Sequence, residues 1–215
     1  RLDGYVPVRI SDEGLEAELA QYLMDGASLE AAYAYAYTDH GHKFYVLTVP
    51  NRGTHVYDIA MGAWHSRKHW DYETHHSFGY GFCYGKHLIG GIDGNVYEMS
   101  RAYHDDAGEI LKRIRRSQVF SGDDRRLRWK EIKLIMNVGE GRTTGQGSDP
   151  EIMIHWSNDY GRTWSSERRL GLGAGGDYTK TVATRHCGSS RNRIVEISQT
   201  DPVPFEITDA YAVVA

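Results

Sequence analysis

Cysteine, proline and long apolar runs are all scarce in this chain, and each scarcity closes off a class of protein. Cys83 and Cys187 are too few and too far apart to staple a disulfide framework or to build a zinc site. Both are expected as reduced thiols, in keeping with folding in a reducing cytoplasm, with one pairing across the fold left open. No apolar run approaches the ~18 residues that cross a bilayer as a helix, and no signal peptide is visible. A net charge of −4 gives no bulk attraction to nucleic acid or to a membrane. The first residue is Arg1 rather than Met, so a fragment or a processed product is expected.

What the chain does contain suits β-structure. There are 15 Tyr, 5 Trp and 24 Gly against only 5 Pro, a mixture suited to short strands and tight turns. At 215 residues it is long enough for a sizeable core in one or at most two domains.

Residues 1–30 read as an extended lead-in and one helix, packed on the domain that follows. Ser11 is the expected N-cap, Asp12 and Glu13 lie where the helix dipole favours negative charge, and Gly26 is the expected C-cap. Leu15, Leu19, Tyr22 and Leu23 form its apolar stripe. From Ala31 the period changes to two: Tyr33, Tyr35 and Tyr37 alternate with alanines. Phe44 to Val49, Thr54 to Ala60 and a stub at Trp64 complete one blade-like meander. A second follows from Gly79 to Ser100, with Val56-Tyr57-Asp58-Ile59-Ala60 answered by Val96-Tyr97-Glu98-Met99-Ser100 at a spacing of 40.

Ile110 to Phe120 and Leu127 to Val138 are expected to pair, joined by Ser121-Gly122-Asp123-Asp124. Gly139 to Asp149 reads as a mobile loop, and a second glycine-rich loop runs from Gly171 to Gly176. Strands are expected at Glu151 to Trp156, Ser165 to Leu170, Tyr178 to Cys187, Arg193 to Gln199 and Phe205 to Val214. The fold class is therefore all-β, a β-propeller-like array of about four antiparallel blades over residues 31–215, either partial or completed by residues beyond this sequence, with one N-terminal α-helix.

Candidate chemistry is thin. Gly171-Leu172-Gly173-Ala174-Gly175-Gly176 has dinucleotide-loop spacing, but a strand-like run follows instead of the helix that would present N–H groups to a pyrophosphate. His40 and His42 share a face if both are on a strand, and His75-His76 are adjacent, yet no third ligand stands at an informative spacing. No catalytic residue, cofactor or metal is expected, and the chain is read as no enzyme. Several exposed histidines would make assembly contacts sensitive to mild acid. Between Leu111 and Leu134 nine Lys and Arg outnumber the acids Asp123, Asp124 and Glu131, an excess of six positive charges. Arg113, Arg115, Arg116, Arg125, Arg126 and Arg128 are the candidate contact patch for nucleic acid or an acidic partner; solvated outer faces of two strands are the plainer and favoured explanation.

The stretch Ser157-Asn158-Asp159-Tyr160-Gly161-Arg162-Thr163-Trp164 has its own logic. Asp159 can accept backbone N–H groups, Gly161 tolerates positive φ, and Thr163 and Trp164 start the return strand with the indole between packed sheets. The pattern Ser157, Asp159, Gly161, Thr163, Trp164 resembles the Asp-box of β-propellers such as sialidases, where the turn is structural. The alternative function is thus a glycan-binding or sialidase-like glycoside hydrolase propeller. Sialidase chemistry needs three arginines, a Tyr–Glu pair and an Asp; the spacing here selects no such set.

Three stretches in order resemble the packaged-DNA stabilisation protein, a tail accessory factor of short-tailed bacteriophages. They are Arg9-Ile10-Ser11; Gly41-His42-Lys43-Phe44-Tyr45-Val46-Leu47-Thr48-Val49-Pro50 with Val56-Tyr57-Asp58 and Trp64-His65; and the Ser157–Trp164 turn with Arg168-Arg169-Leu170-Gly171, Tyr178, Arg185 and Ser198 to Tyr211. The likeness covers nearly the whole chain as the C-terminal part of that longer family, and departs from it at Cys187-Gly188, where a leucine would precede the glycine. The resemblance implies a structural tail and neck component that helps close the portal channel, retains packaged DNA and seats further tail proteins. It also implies portal, adaptor and tail proteins as partners, a homo-oligomeric ring in the virion, DNA nearby, no membrane, and host cytoplasm during assembly.

Overall fold

The computed structural model describes residues 2–3, 5–123 and 125–215; Arg1, Gly4 and Asp124, which fall in the expected lead-in and in the expected 121–124 link, lie outside the described residues. The chain divides into two compact units, Arg1–Ala102 and Tyr103–Ala215, so the single domain expected over 31–215 spans both.

In the first unit a short pair, β1 (Leu2–Asp3) and β2 (Val6–Pro7), precedes helix α1 (Glu13–Met24). Asp12, not Ser11, caps α1: its carboxylate accepts from Leu15 N at 2.8 Å, while the Ser11 hydroxyl donates to Glu16. Of the expected apolar stripe only Leu15 is buried, and Leu23 stays exposed. Strands β3 (Tyr33–Asp39), β4 (His42–Val49), β5 (Gly53–Asp58) and β6 (Ala63–Arg67) form one antiparallel meander; β7 (Ser77–Cys83), β8 (Lys86–Gly91) and β9 (Val96–Met99) form a second.

The alternation at Tyr33–Tyr37 sets the contact between these two sheets. Tyr35 stacks on Tyr80 at 5.6 Å, Tyr33 meets Phe78 at 5.1 Å, and the Tyr35 hydroxyl and Ser77 Oγ lie 2.9 Å apart. Tyr37, Val46 and Val56 form the small buried core, and the intervening Ala34 and Ala36 face solvent. The two runs spaced by 40 fall on β5 and β9, each the third strand of its sheet.

The second unit departs from a blade array. Its strands are β10 (Arg113–Arg116), β11 (Phe120–Ser121), β12 (Leu127–Met136), β13 (Glu151–Ser157), β14 (Arg168–Gly171), β15 (Val182–Arg185), β16 (Ser189–Ser190), β17 (Asn192–Gln199) and β18 (Ile207–Val214). Sheet I runs β10-β17-β13-β14 with β11 also on β17; sheet II has β12 at its centre, flanked by β15 and β16 on one side and β18 on the other. A propeller blade is a meander of consecutive strands, whereas here distant segments pair, as in Ile114 with Ser198. The expected pairing of 110–120 with 127–138 is therefore corrected: the first segment lies in sheet I and the second in sheet II.

One core joins the two sheets. Ile152, Ile154, Trp156, Val195 and Ile197 of sheet I pack with Trp129, Ile132, Leu134 and Val182 of sheet II, along with Leu172 and Cys187. Each such side chain contributes about 1.5–3 kcal/mol on burial. Strand β12 carries a bulge between Trp129 and Glu131. Its inward set accordingly switches from Leu127 and Trp129 to Ile132, Leu134 and Met136, leaving Lys130 and Glu131 both off the core face.

The two glycine-rich loops dock on each other. Gly139 N donates to Leu172 O and Gly176 N to Gly139 O. A Cβ at Gly141 would stand 2.8 Å from Ser148 O and 2.9 Å from Gly175 N, so the backbone approach admits only glycine there. No helix follows Gly176, which removes the dinucleotide-loop geometry.

Candidate interaction surface

The turn after β13 is held by its own side chains. Ser157 Oγ accepts from Gly161 N at 2.8 Å and donates to Asp159 Oδ1 at 2.7 Å. Asp159 Oδ1 also accepts from Thr163 N at 2.8 Å, and Oδ2 from the Thr163 hydroxyl at 2.6 Å. These bonds, led by that of the Thr163 hydroxyl, hold the Asp159 carboxyl far below the usual carboxylate range. Tyr160 and Gly161 both have positive φ, 62° and 91°. A permanently ionised, fully bonded carboxylate is a poor proton donor, so the arrangement makes a turn and no acid catalyst.

Trp164 does not enter the core as expected. It stacks on His155 at 4.5 Å, and His155 points away from the core because Ile154 and Trp156 point in. His155 Nε2 lies 2.9 Å from Glu196 Oε1, Arg116 Nε donates to Glu196 Oε2 at 2.9 Å, and the Arg116 guanidinium lies 5.1 Å from the indole centroid. The outer face of sheet I thus clasps the turn through a Trp–His–Glu–Arg cluster.

Arg193, which sequence reasoning missed, joins the turn to the core. It is 1% exposed, with its guanidinium 4.7 Å from the Trp129 ring and 5.0 Å from that of Trp156. Nε donates to Asn158 Oδ1 at 2.9 Å and a terminal nitrogen to Cys187 O at 2.7 Å. Burial pulls its pKa down to about 10, so it remains a cation at neutral pH. No local signal marks it, because both indoles come from other strands.

The six candidate arginines do not form one patch. Arg113 turns back on the chain, donating to Val203 O and Asp201 O. Arg116 belongs to the cluster on sheet I, and Arg115 is exposed on the same strand. Arg128 lies on β12 of sheet II with Arg126 just before that strand, and Arg125 is exposed between the sheets' segments, hydrogen-bonding through its own N–H to Gly122 O. The division follows from the pairing of β10 with β17 and of β12 with β15, β16 and β18.

On sheet II, Arg126 and Arg128 join Lys130, Glu131, Arg185, His186, Ser189 and Val213 around a groove of about 910 Å³. Glu131 is the one carboxylate on its described lining and is engaged by Arg185 Nε at 3.1 Å. Arg126 Nε donates to Ser189 Oγ at 3.0 Å. The groove holds three arginines but, among its described lining residues, no tyrosine to serve with a glutamate as a nucleophile.

The histidine pairs go elsewhere. His40 sits in a turn at φ 47° against Asp39, His42 bonds Asp58 at 2.7 Å, His75 bonds Ser77 and His76 bonds Asp93. Among the described residues no three His, Cys, Asp or Glu converge to hold a metal ion. Likewise, no described helix is long and apolar enough to cross a membrane.

No curated protein matches the chain. Residues 112–215, nearly all of the second unit, match the family model described as bacteriophage P22 Gp10, β-sandwich. That description agrees with two sheets closed on one core and replaces the propeller expectation for this unit. The second unit is similar to the β-sandwich of bacteriophage P22 Gp10, and the likeness supports a structural protein of a phage tail, carried in the virion among other virion proteins.

Proposed function

We propose that the chain is a structural component of a short-tailed phage neck that helps close the portal channel, retains the packaged DNA and seats further tail proteins. The observation that carries this reading is the match of residues 112–215 to the P22 Gp10 β-sandwich. A rigid two-sheet body with docked loops suits a part whose work is adhesion, since broad faces need a fixed scaffold. Its partners are portal, adaptor and tail proteins, and copies arranged as a ring around a symmetric neck would add weak contacts into a durable seal. It needs no cofactor, performs no catalysis, has no membrane partner, and is made in the host cytoplasm before it joins the virion.

The test is reconstitution of neck assemblies with and without the protein, followed by measurement of DNA retained in filled heads. Retention is expected to fall without it. Failure of the protein to join portal or adaptor assemblies overturns the reading. Saturable binding of a glycan, abolished by substitutions in one cleft, would favour the carbohydrate-binding alternative, against which the bonded Asp159 and the tyrosine-free groove lining both argue.

A further inference from the structure

We infer that the sheet II groove is a sequence-independent binding site for the phosphodiester backbone of duplex DNA. The inference stands on the groove alone and holds whether or not the chain closes a portal. Three observations carry it.

The first is where the charge lies. Residues 103–215 hold 17 of the 25 Lys and Arg and 16 of the 29 Asp and Glu, close to neutral as a unit, so the positive charge at the groove is a local concentration. Arg126, Arg128 and Lys130 follow one another at alternate positions, spaced about 7 Å along an extended chain. The bulge after Trp129 keeps Lys130 with the outward set. Among the described residues none of the three is held in an ion pair, whereas Arg113 and Arg116 are consumed by their own fold.

The second is the chemistry of the lining. Guanidinium and ammonium groups, the Ser189 hydroxyl and the backbone at Gly188 are the donors that hold phosphate oxygens. Protein interfaces instead centre on exposed aromatic or aliphatic anchors, and this lining offers an acidic segment only Val213, since Trp129 is 3% exposed.

The third is the lack of an exposed Phe, Tyr or Trp on the described lining. With Trp129 buried, the exposed His186 imidazole is its one accessible ring, a smaller platform for unstacked bases than a row of large aromatics, which favours a duplex backbone over a single strand.

The experiment is fluorescence anisotropy of the full 215-residue chain with a labelled duplex of scrambled sequence across a salt series. Three free cations predict a log–log salt slope of about −2.7 and a Kd of ~10⁻⁴–10⁻⁶ M near physiological salt. Arg128→Gln with Lys130→Gln is expected to reduce the slope to about −0.9 and weaken binding at least ~tenfold. Arg115→Gln, exposed on the other sheet, is expected to change little. Lys130→Gln alone, at an exposed bulge position, gives an independent reading should the double variant fold poorly. Equal losses from the Arg115 and groove variants, no measurable binding, or tighter binding of polyglutamate than of duplex at matched salt would each overturn the inference. The last result would make the groove a seat for an acidic protein. Loss of DNA binding with normal joining to neck assemblies would fail this inference and leave the structural role intact.

Discussion

Arg116 and Glu196 stand directly opposite each other on β10 and β17, and the arginine Nε reaches the carboxylate at 2.9 Å. Glu196 is nearly buried while the arginine side chain is 58% exposed, so the two ends of this pair are unequal. Burial raises the Glu196 pKa, but the bonds from Arg116 and His155 outweigh it and hold the carboxyl below its ordinary value. Glu196→Gln is expected to cost about 1–2 kcal/mol and Arg116→Gln less, because water still reaches the arginine. Urea unfolding midpoints at constant slope measure both.

Gly161 has φ 91°, a conformation that a β-branched side chain enters only with strain. Gly161→Val is expected to destabilise the protein by ~1–3 kcal/mol. An unchanged melting temperature would show that the turn has an alternative backbone path.

Arg193 between two indoles satisfies Asn158 and the Cys187 carbonyl together. Arg193→Met fills the volume but strands both acceptors, and a loss of ~2–4 kcal/mol is expected from chemical denaturation. Arg193→Lys should recover only part, since an ammonium lacks the planar fork that serves both acceptors from between the rings.

His75 carries the clearest pH dependence. Burial, then the nearby Arg67, holds its pKa down to about 3 against 6.5 in the unfolded chain. Above pH 6.5 both states are neutral there and nothing is lost. As pH falls from 6.5 towards 3, the unfolded chain takes a proton that the folded chain refuses, so stability declines throughout that window. The loss at pH 5 relative to pH 7 is about 2 kcal/mol, and His75→Gln should remove it. Unfolding midpoints at the two pH values, read for both proteins, decide this.

The first unit was largely legible because its pairings are local. Tyr33, Tyr35 and Tyr37 announce one face, and each strand pairs with its neighbour in sequence. The second unit resisted for the opposite reason. Nothing near Ile114 names Ser198 as its partner, so six arginines close in sequence could not be sorted between two sheets. The bulge in β12 hides the phase of its alternation, and Trp164, apolar enough for a core, lies over His155 instead. Ser157, Asp159, Gly161 and Thr163 bond within seven residues, which is why the turn could be read while Arg193, anchored by Trp129, could not.

The order of strands has a consequence for how the second unit is made. Strand β17 pairs with β10, β11 and β13, and β18 runs nearly the length of β12. Sheet I is incomplete until synthesis has passed residue 199, and sheet II until it has passed residue 214. Until then β13, paired only with β14, and β12, paired only with β15 and β16, each present one open apolar edge, a state exposed to aggregation. A ribosome stalled or a chain clipped before residue 192 would leave no smaller sandwich behind, only two open sheets, one lacking β17 and the other β18.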